Sequence, residues 1–322
     1  MKALVVGAGF MGSLHARAIR DSTMADLHGV VDSSTSAAST LGAELGVKGF
    51  VELSEAIDEI EPDVAVIATP DSSHRKPAET LIKAGVHVLI EKPLATTVDD
   101  AEAILHRARA RGSRVMTGHI TRFFVRYTRV AEAVSGSTIG RPVMITTSTW
   151  GPKSIGARVA ETTNPLWHFA IHDIDLIQWI GEGVVDEVDG AQLIESGADC
   201  STFSATGSLS SGIGFNMVTG WTLPSSAAAR WDLKVHCQGG VVQATWSGDG
   251  VTLYEPNGAH ELDCTAWPSV RGQIGGALRA EVDHFLDAVT TGAPFLVRSE
   301  DALNAIRSAA RLEQAACRRV TE

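Results

Sequence analysis

An apolar, β-branched run at residues 2–6 passes directly into Gly7, Ala8, Gly9, Phe10, Met11 and Gly12, and then into a helical stretch at 13–20. A first glycine permits a tight turn out of a strand. A second lets the backbone approach a ligand closely, and a third lets the helix pack against the strand, while the helix N-terminus supplies positive potential. Glycine turns also arise for structural reasons alone, so context decides. Asp32 ends the second strand signal 20 residues beyond Gly12, where a carboxylate would accept the adenosine ribose hydroxyls of a dinucleotide. Gly7, Gly9, Phe10, Met11, Gly12, Asp32 and Ser33 are therefore expected to border such a cofactor. A carboxylate at that position repels a 2′-phosphate, and Ser33 and Ser34 follow it instead of an arginine. NAD is accordingly expected in preference to NADP.

Further strand signals at 27–31, 64–68, 86–90 and 115–117 alternate with amphipathic stretches at 37–45, 53–60, 76–84 and 98–110, with Gly46, Gly85 and Gly112 as stop signals. This βαβ alternation predicts a parallel sheet covered on both faces. After Arg122 the texture changes. Stretches 202–223 and 231–254 alternate as antiparallel strands do, with turns near 210–212, 239–240 and 248–250. Helices are expected at 168–180, 277–289 and 301–318. A chain of 322 residues exceeds what one core usually organises. The predicted class is α/β, with an N-terminal Rossmann domain over 1–120 and a second, sheet-based domain over 121–322.

The formal net charge of −11 argues against a nucleic-acid partner. Arg107, Arg109, Arg111 and Arg114 read as a solvated face. Cys200, Cys237, Cys264 and Cys317 form no CxxC pair and suggest neither a zinc ribbon nor a disulfide framework. That pattern suits a reducing cytoplasm. No cationic leader precedes the first strand, and no apolar stretch approaches the roughly 20 residues of a membrane span. A soluble, cytoplasmic protein is expected.

The fifth strand signal ends in Glu91, Lys92 and Pro93. Ligands of open α/β sheets sit outside the carboxyl ends of the strands, so this charged pair emerges where chemistry is expected. Here the chain resembles the Gfo/Idh/MocA oxidoreductases, named for glucose-fructose oxidoreductase and inositol dehydrogenase. The matching wording is GAGFMG at 7–12, ATPDSSH at 68–74, EKP at 91–93, GHITRF at 118–123, IHDIDL at 171–176, and the ending from Glu281 through Asp301, Ala302 and Leu303. The resemblance implies a C-terminal α/β domain with a large open sheet, whose exposed face makes homodimers or homotetramers. It also implies that Thr69, Pro70, His74, Lys92 and Pro93 border the cofactor, that Glu91 approaches its ribose, that the peptide before Pro93 is cis, and that Lys92 is catalytic as well.

Helical spacings of four and three put His168, His172 and Asp175 on one face. In the family this helix carries the catalytic histidine, matched by His172. An aspartate stands four residues earlier in many sugar and cyclitol dehydrogenases, where this chain has His168. The HxxxH spacing also offers ligand types for a metal, but the resemblance implies metal-independent chemistry, and no metal is expected. The implied reaction moves hydride between a secondary alcohol and the nicotinamide. His172 takes the hydroxyl proton and Lys92 stabilises charge on the same oxygen. His168, Asp175 and Arg122 are candidates for holding substrate hydroxyls, and Trp150 and Trp167 for an apolar platform under a ring. The expected substrate is a sugar or a cyclitol resembling inositol. Alternatives are 3-dehydrogenation of a UDP-hexosamine, NAD-dependent glycoside hydrolysis or elimination, and a cofactor-sensing regulator without catalysis.

Overall fold

The computed structural model describes residues 1–136, 138–197, 199–245, 251–255 and 258–320; the turn expected at 248–250 lies outside them. By packing, the chain forms two units, Met1–Phe123 with Thr265–Ile306, and Phe124–Cys264 with Arg307–Glu322.

In the first unit the elements alternate as β1 (Lys2–Val6), α1 (Phe10–Arg20), β2 (Asp26–Val31), α2 (Thr35–Leu45), β3 (Lys48–Phe50), α3 (Leu53–Ile60), β4 (Val64–Ile67), α4 (Arg75–Lys83), β5 (His87–Glu91), α5 (Val98–Arg111) and β6 (Val115–Gly118). All six strands are parallel, in the order β3-β2-β1-β4-β5-β6. The pattern follows from burial on both faces: Ala3 to Val6, Val64 to Ile67 and Val88 to Ile90 are unbroken apolar runs with almost no exposed surface. Local signals set the helix ends. Ser34 and Thr97 accept hydrogen bonds from the Ala37 and Asp100 amides as N-caps, and Gly46 and Gly112 close their helices in the left-handed conformation. The strand order reverses between β1 and β4, so the loops after these two strands open on the crevice where doubly wound sheets bind ligands.

The second unit contains α6 (Val125–Ser135), β7 (Pro142–Pro152), α7 (Lys153–Val159), a π-helical turn at Leu166–Ala170 continuing into α8 (Ile171–Ile180), and then β8 (Val185–Glu195), β9 (Ser201–Leu209), β10 (Gly214–Leu223), β11 (Arg230–Cys237) and β12 (Gly240–Ala244). Its sheet runs β12-β11-β7-β10-β9-β8 and is mostly antiparallel, with β7 and β10 parallel. Strand β7 escaped the sequence reading because its inward positions include Thr147 and Thr149, both buried, which blur the alternation of apolar and polar residues. A hairpin of β13 (Thr252–Glu255) and β14 (Gly258–Glu261) follows.

The chain then returns to the first unit with the short pair β15 (Ser269–Val270) and β16 (Gln273–Ile274), the helix α9 (Gly276–Thr291), and the first residues of α10 (Ser299–Ala315). Helix α9 lies against α1, and the Ser22 hydroxyl donates to Asp283 at 3.2 Å. Arg114 caps the far end of α9 by donating to the carbonyls of Ala288 and Ala293, with its guanidinium 4.2 Å over the Phe295 ring. Composition gives residues 265–306 no mark of their destination; these tertiary ties do. The helix expected to continue to 318 stops at Ala315. Residues Ala316–Val320 form β17, parallel to the otherwise open edge of β8, with Arg318 paired to Glu195 at 2.6 Å. No described helix is long and apolar enough to cross a membrane.

Arg122 is 2% exposed and donates to the Leu296 carbonyl and the Asp301 carboxylate, each at 3.0 Å. Burial pushes the Asp301 acid constant up, but the Arg298 and Arg122 guanidinium groups outweigh it and hold the carboxyl below its ordinary range. Asp301→Ala removes a carboxylate partner from a buried guanidinium and is expected to cost about 3 kcal/mol in urea unfolding. In the parent protein this contribution is complete above pH about 4 and fades as pH falls through the depressed native value. An unchanged urea midpoint, or a contribution that grows in acid, would contradict it.

Candidate functional site

The three glycines divide into two kinds. Gly7 has φ +104°, and a Cβ there would sit 2.4 Å from the Ala68 carbonyl oxygen. At Gly12 a Cβ would sit 1.8 Å from the Gly7 carbonyl oxygen. These two are required by the protein's own packing. A Cβ on Gly9 would meet nothing within 4 Å. Its backbone therefore borders open space at the N-terminus of α1, and no side chain caps the first-turn amides. Such a cradle fits a pyrophosphate. Asp32 stands beside it, accepting the Ala8 amide on Oδ2 at 2.7 Å and the Ser34 amide on Oδ1 at 2.8 Å. An ionised carboxylate has about four acceptor sites, so capacity remains for ribose hydroxyls. Ser33 is exposed next to it, and Phe10 is 59% exposed with its ring 5.8 Å from that of Trp267. The residues present fit a dinucleotide with a free 2′-hydroxyl.

A second set of contacts joins the loops after β4 and β5. His74 is fully buried, with Nδ1 2.8 Å from the Pro93 carbonyl oxygen and Nε2 3.0 Å from the Thr69 carbonyl oxygen. The Lys92–Pro93 peptide is cis. Glu91 meets His15 Nε2 at 2.7 Å and accepts the Lys92 amide at 3.2 Å. Burial opposes ionisation of Glu91, yet the hydrogen bond and charge of His15, with Lys92 and His74 nearby, hold its carboxyl below the ordinary range. Glu281, from α9, behaves oppositely. It is fully buried, neither carboxyl oxygen has a hydrogen-bond partner among the described residues, and burial together with the Glu91 charge pushes its acid constant well up. The two carboxyls are thus shifted in opposite directions, the better-partnered one toward the ionised form and the other toward the neutral form.

In the second unit His172 and Asp175 are buried on α8, with the His172 ring 5.6 Å from that of Trp231. His168 belongs to the π-helical turn and lies edge-on to Phe169 and Trp221. The wider turn alters the regular α spacing assumed between His168 and His172, and the two imidazoles contact different tryptophans. Trp150 Nε1 donates to Ser148 at 2.7 Å, and Trp167 Nε1 donates to Glu313 at 3.0 Å. Arg122 is engaged internally as described above. Among the described residues no group of three His, Cys, Asp or Glu side chains is arranged to hold a metal.

The sequence reading passed over two groups that shape these surroundings. His15 follows Gly12 by three residues on the buried face of α1, and a titratable residue on that stripe was the available signal. Asp173 follows His172 and is fully buried, taking the Thr149 hydroxyl at 2.9 Å. Burial pushes its carboxyl up to about 7, against the pull of the Thr149 and Thr147 hydroxyls. A charged residue amid the isoleucines of α8 could have flagged it.

Residues 1–119 match the model of an oxidoreductase family with an NAD-binding Rossmann fold, and residues 127–243 match the GFO/IDH/MocA C-terminal domain. Inositol 2-dehydrogenase 3 of Saccharopolyspora erythraea is 26% identical over 306 residues, covering 90% of this chain and 85% of its own. UDP-N-acetylglucosamine 3-dehydrogenase of Acidithiobacillus ferrooxidans is 26% identical over 306 residues, covering 91% and 90%. Two further relatives are spanned over only 58% and 53% of their length. The scyllo-inositol dehydrogenase of Lactobacillus casei, solved with NAD(H) and scyllo-inositol, shares the fold with a TM-score of 0.80 at 19% identity, covering 98% of this chain and 96% of that one. With both domain models matched in order along its length, the chain belongs to the GFO/IDH/MocA family of oxidoreductases and carries an NAD-binding Rossmann domain.

Proposed function

We propose that this protein is an NAD-dependent dehydrogenase of a secondary alcohol on a sugar or cyclitol. The observation that carries the reading is the position of Lys92 at the carboxyl end of β5, in the same unit as the open cradle at Gly9 and with its backbone tied to Glu91. NAD, when bound, supplies the acceptor for hydride leaving the alcohol carbon. Gly7, Gly9, Phe10, Met11 and Gly12 would hold its pyrophosphate end, with Asp32 and Ser33 at the adenosine ribose and Thr69, Pro70, His74, Glu91 and Pro93 toward the nicotinamide. His172 takes the hydroxyl proton, a role suited to a group whose ordinary acid constant is near neutrality. Lys92 donates a hydrogen bond to the reacting oxygen and stabilises the charge that develops there. His168 and Asp175 orient further hydroxyls. The buried ion pair between Arg122 and Asp301 supports a structural role for Arg122 over contact with a substrate hydroxyl.

A UDP-hexosamine is the second reading, favoured by the match to the UDP-N-acetylglucosamine enzyme over nine-tenths of both chains. Association of copies through the open face of the second sheet is proposed alongside either substrate.

The decisive experiment is a screen of NAD and NADP reduction against inositols, aldoses and UDP-hexosamines. Reduction of NAD by a cyclitol or free sugar is expected; activity confined to UDP-sugars selects the second reading, and reduction of NADP alone rejects the role given to Asp32. With the substrate found, Lys92→Met and His172→Ala are each expected to lower kcat by about 10²- to 10⁴-fold. NADH affinity, read by fluorescence titration, should change little. Turnover preserved in either variant removes that residue from the chemistry.

A further inference from the structure

Both ring nitrogens of His74 face carbonyl oxygens, Pro93 at 2.8 Å from Nδ1 and Thr69 at 3.0 Å from Nε2. A carbonyl oxygen only accepts. A neutral imidazole has one N–H and one bare lone pair, so in either tautomer it would hold a lone pair against an oxygen at hydrogen-bond distance. The imidazolium alone satisfies both contacts. We propose that His74 is a doubly protonated imidazolium that clamps the Thr69 loop to the Lys92–Pro93 segment and so acts as a positioning residue for Lys92.

Burying this cation without compensation would be prohibitive. Compensation comes from the two carbonyl acceptors and from the Glu91 carboxylate, which feels the charges of His74, Lys92 and His15. The other acid of that region, Glu281 on α9, has its acid constant pushed well up by burial and by the Glu91 charge, which disfavours a second negative charge there. On α4 itself the neighbouring cation is Arg75, which is turned to Glu79 and Asp100. The clamp has a defined reach. Thr69 follows Ala68, whose carbonyl touches the turn at Gly7, and Pro93 follows Lys92 directly. One imidazole therefore spans the cofactor side and the lysine side of the first unit. Loss of either proton replaces one attractive link by lone-pair repulsion, which loosens one loop and leaves the other held.

The test has two arms. The first, nitrogen NMR of the full-length protein with labelled histidine rings, is independent of turnover. The chain has 11 histidines, so the His74 signals are assigned by their loss in a variant. The expected result at neutral pH is two protonated, slowly exchanging ring nitrogens; one protonated and one bare nitrogen would overturn the proposal. The second arm rests on the function assigned to Lys92 above. His74→Asn keeps a donor near the Nδ1 position and His74→Gln keeps one near Nε2, each without charge. Both are expected to lower kcat about tenfold or more, the scale of a lost charge-assisted hydrogen bond, with a smaller change in the alcohol KM. If one variant alone keeps parental kcat, the lost contact was no hydrogen bond and the clamp fails. If the ring proves doubly protonated while both variants turn over normally, the imidazolium stands and its positioning role is overturned. Should either variant fold poorly, judged by its urea midpoint, the NMR of the parent protein still decides the protonation state.

Discussion

The contact between residue 12 and the carbonyl of residue 7 governs the architecture of the first unit. With hydrogen in place of a Cβ at Gly12, α1 can rest on the end of β1, where any larger residue would drive 1.8 Å into a backbone oxygen. Seating α1 there presents His15, one turn along, to Glu91 at the end of β5. Glu91 receives the amide of Lys92, His74 reaches back from Pro93 to Thr69, and Ala68 lies against the turn at Gly7. The contacts form a closed circuit through the carboxyl ends of β1, β4 and β5. A closed circuit resists distortion better than a chain of the same links, because displacing any member strains two neighbours.

Charge inside the first unit is distributed by partners instead of by exposure. Glu91 and Glu281 are both withdrawn from water, yet one has an imidazole and an amide and the other has none among the described residues. The same residue type is thus shifted in opposite directions in one region, as is common where chemistry is to be performed. Asp173 in the second unit repeats the theme: burial raises its carboxyl toward neutrality beside the histidine assigned as base.

Much of the first unit was legible because its signals are local. Strands buried on both faces read as apolar runs, helix ends carry their own caps and glycines, and GAGFMG followed by Asp32 has few other uses. The second unit was less so. Threonines at buried positions of β7 imitate an exposed strand, and β17 exists only because β8 offers an unpaired edge. The return of α9 to the first unit is written in long-range ties such as Arg114 to Ala288, which leave no periodic trace. At the candidate site, the residues named from the sequence are those tied to a motif, while His15 and Asp173 were passed over because what marks them is what they touch. The face shared by His168 and His172 assumed uniform α geometry, and the π-helical turn at Leu166–Ala170 modifies it.

Asp32 carries a consequence for how this fold can change its coenzyme. Its carboxylate is at once the partner available to a ribose and the acceptor that pins the Ala8 amide within the glycine turn. A lineage or an engineer moving toward a phosphorylated cofactor cannot simply exchange the acid for a small or basic residue, since the turn loses an anchor in the same step. An uncharged acceptor has to be installed for Ala8 before the cation is added. Coenzyme preference is therefore separated from its neighbour by an intermediate with a loosened loop, and the order of substitutions decides whether the path is passable.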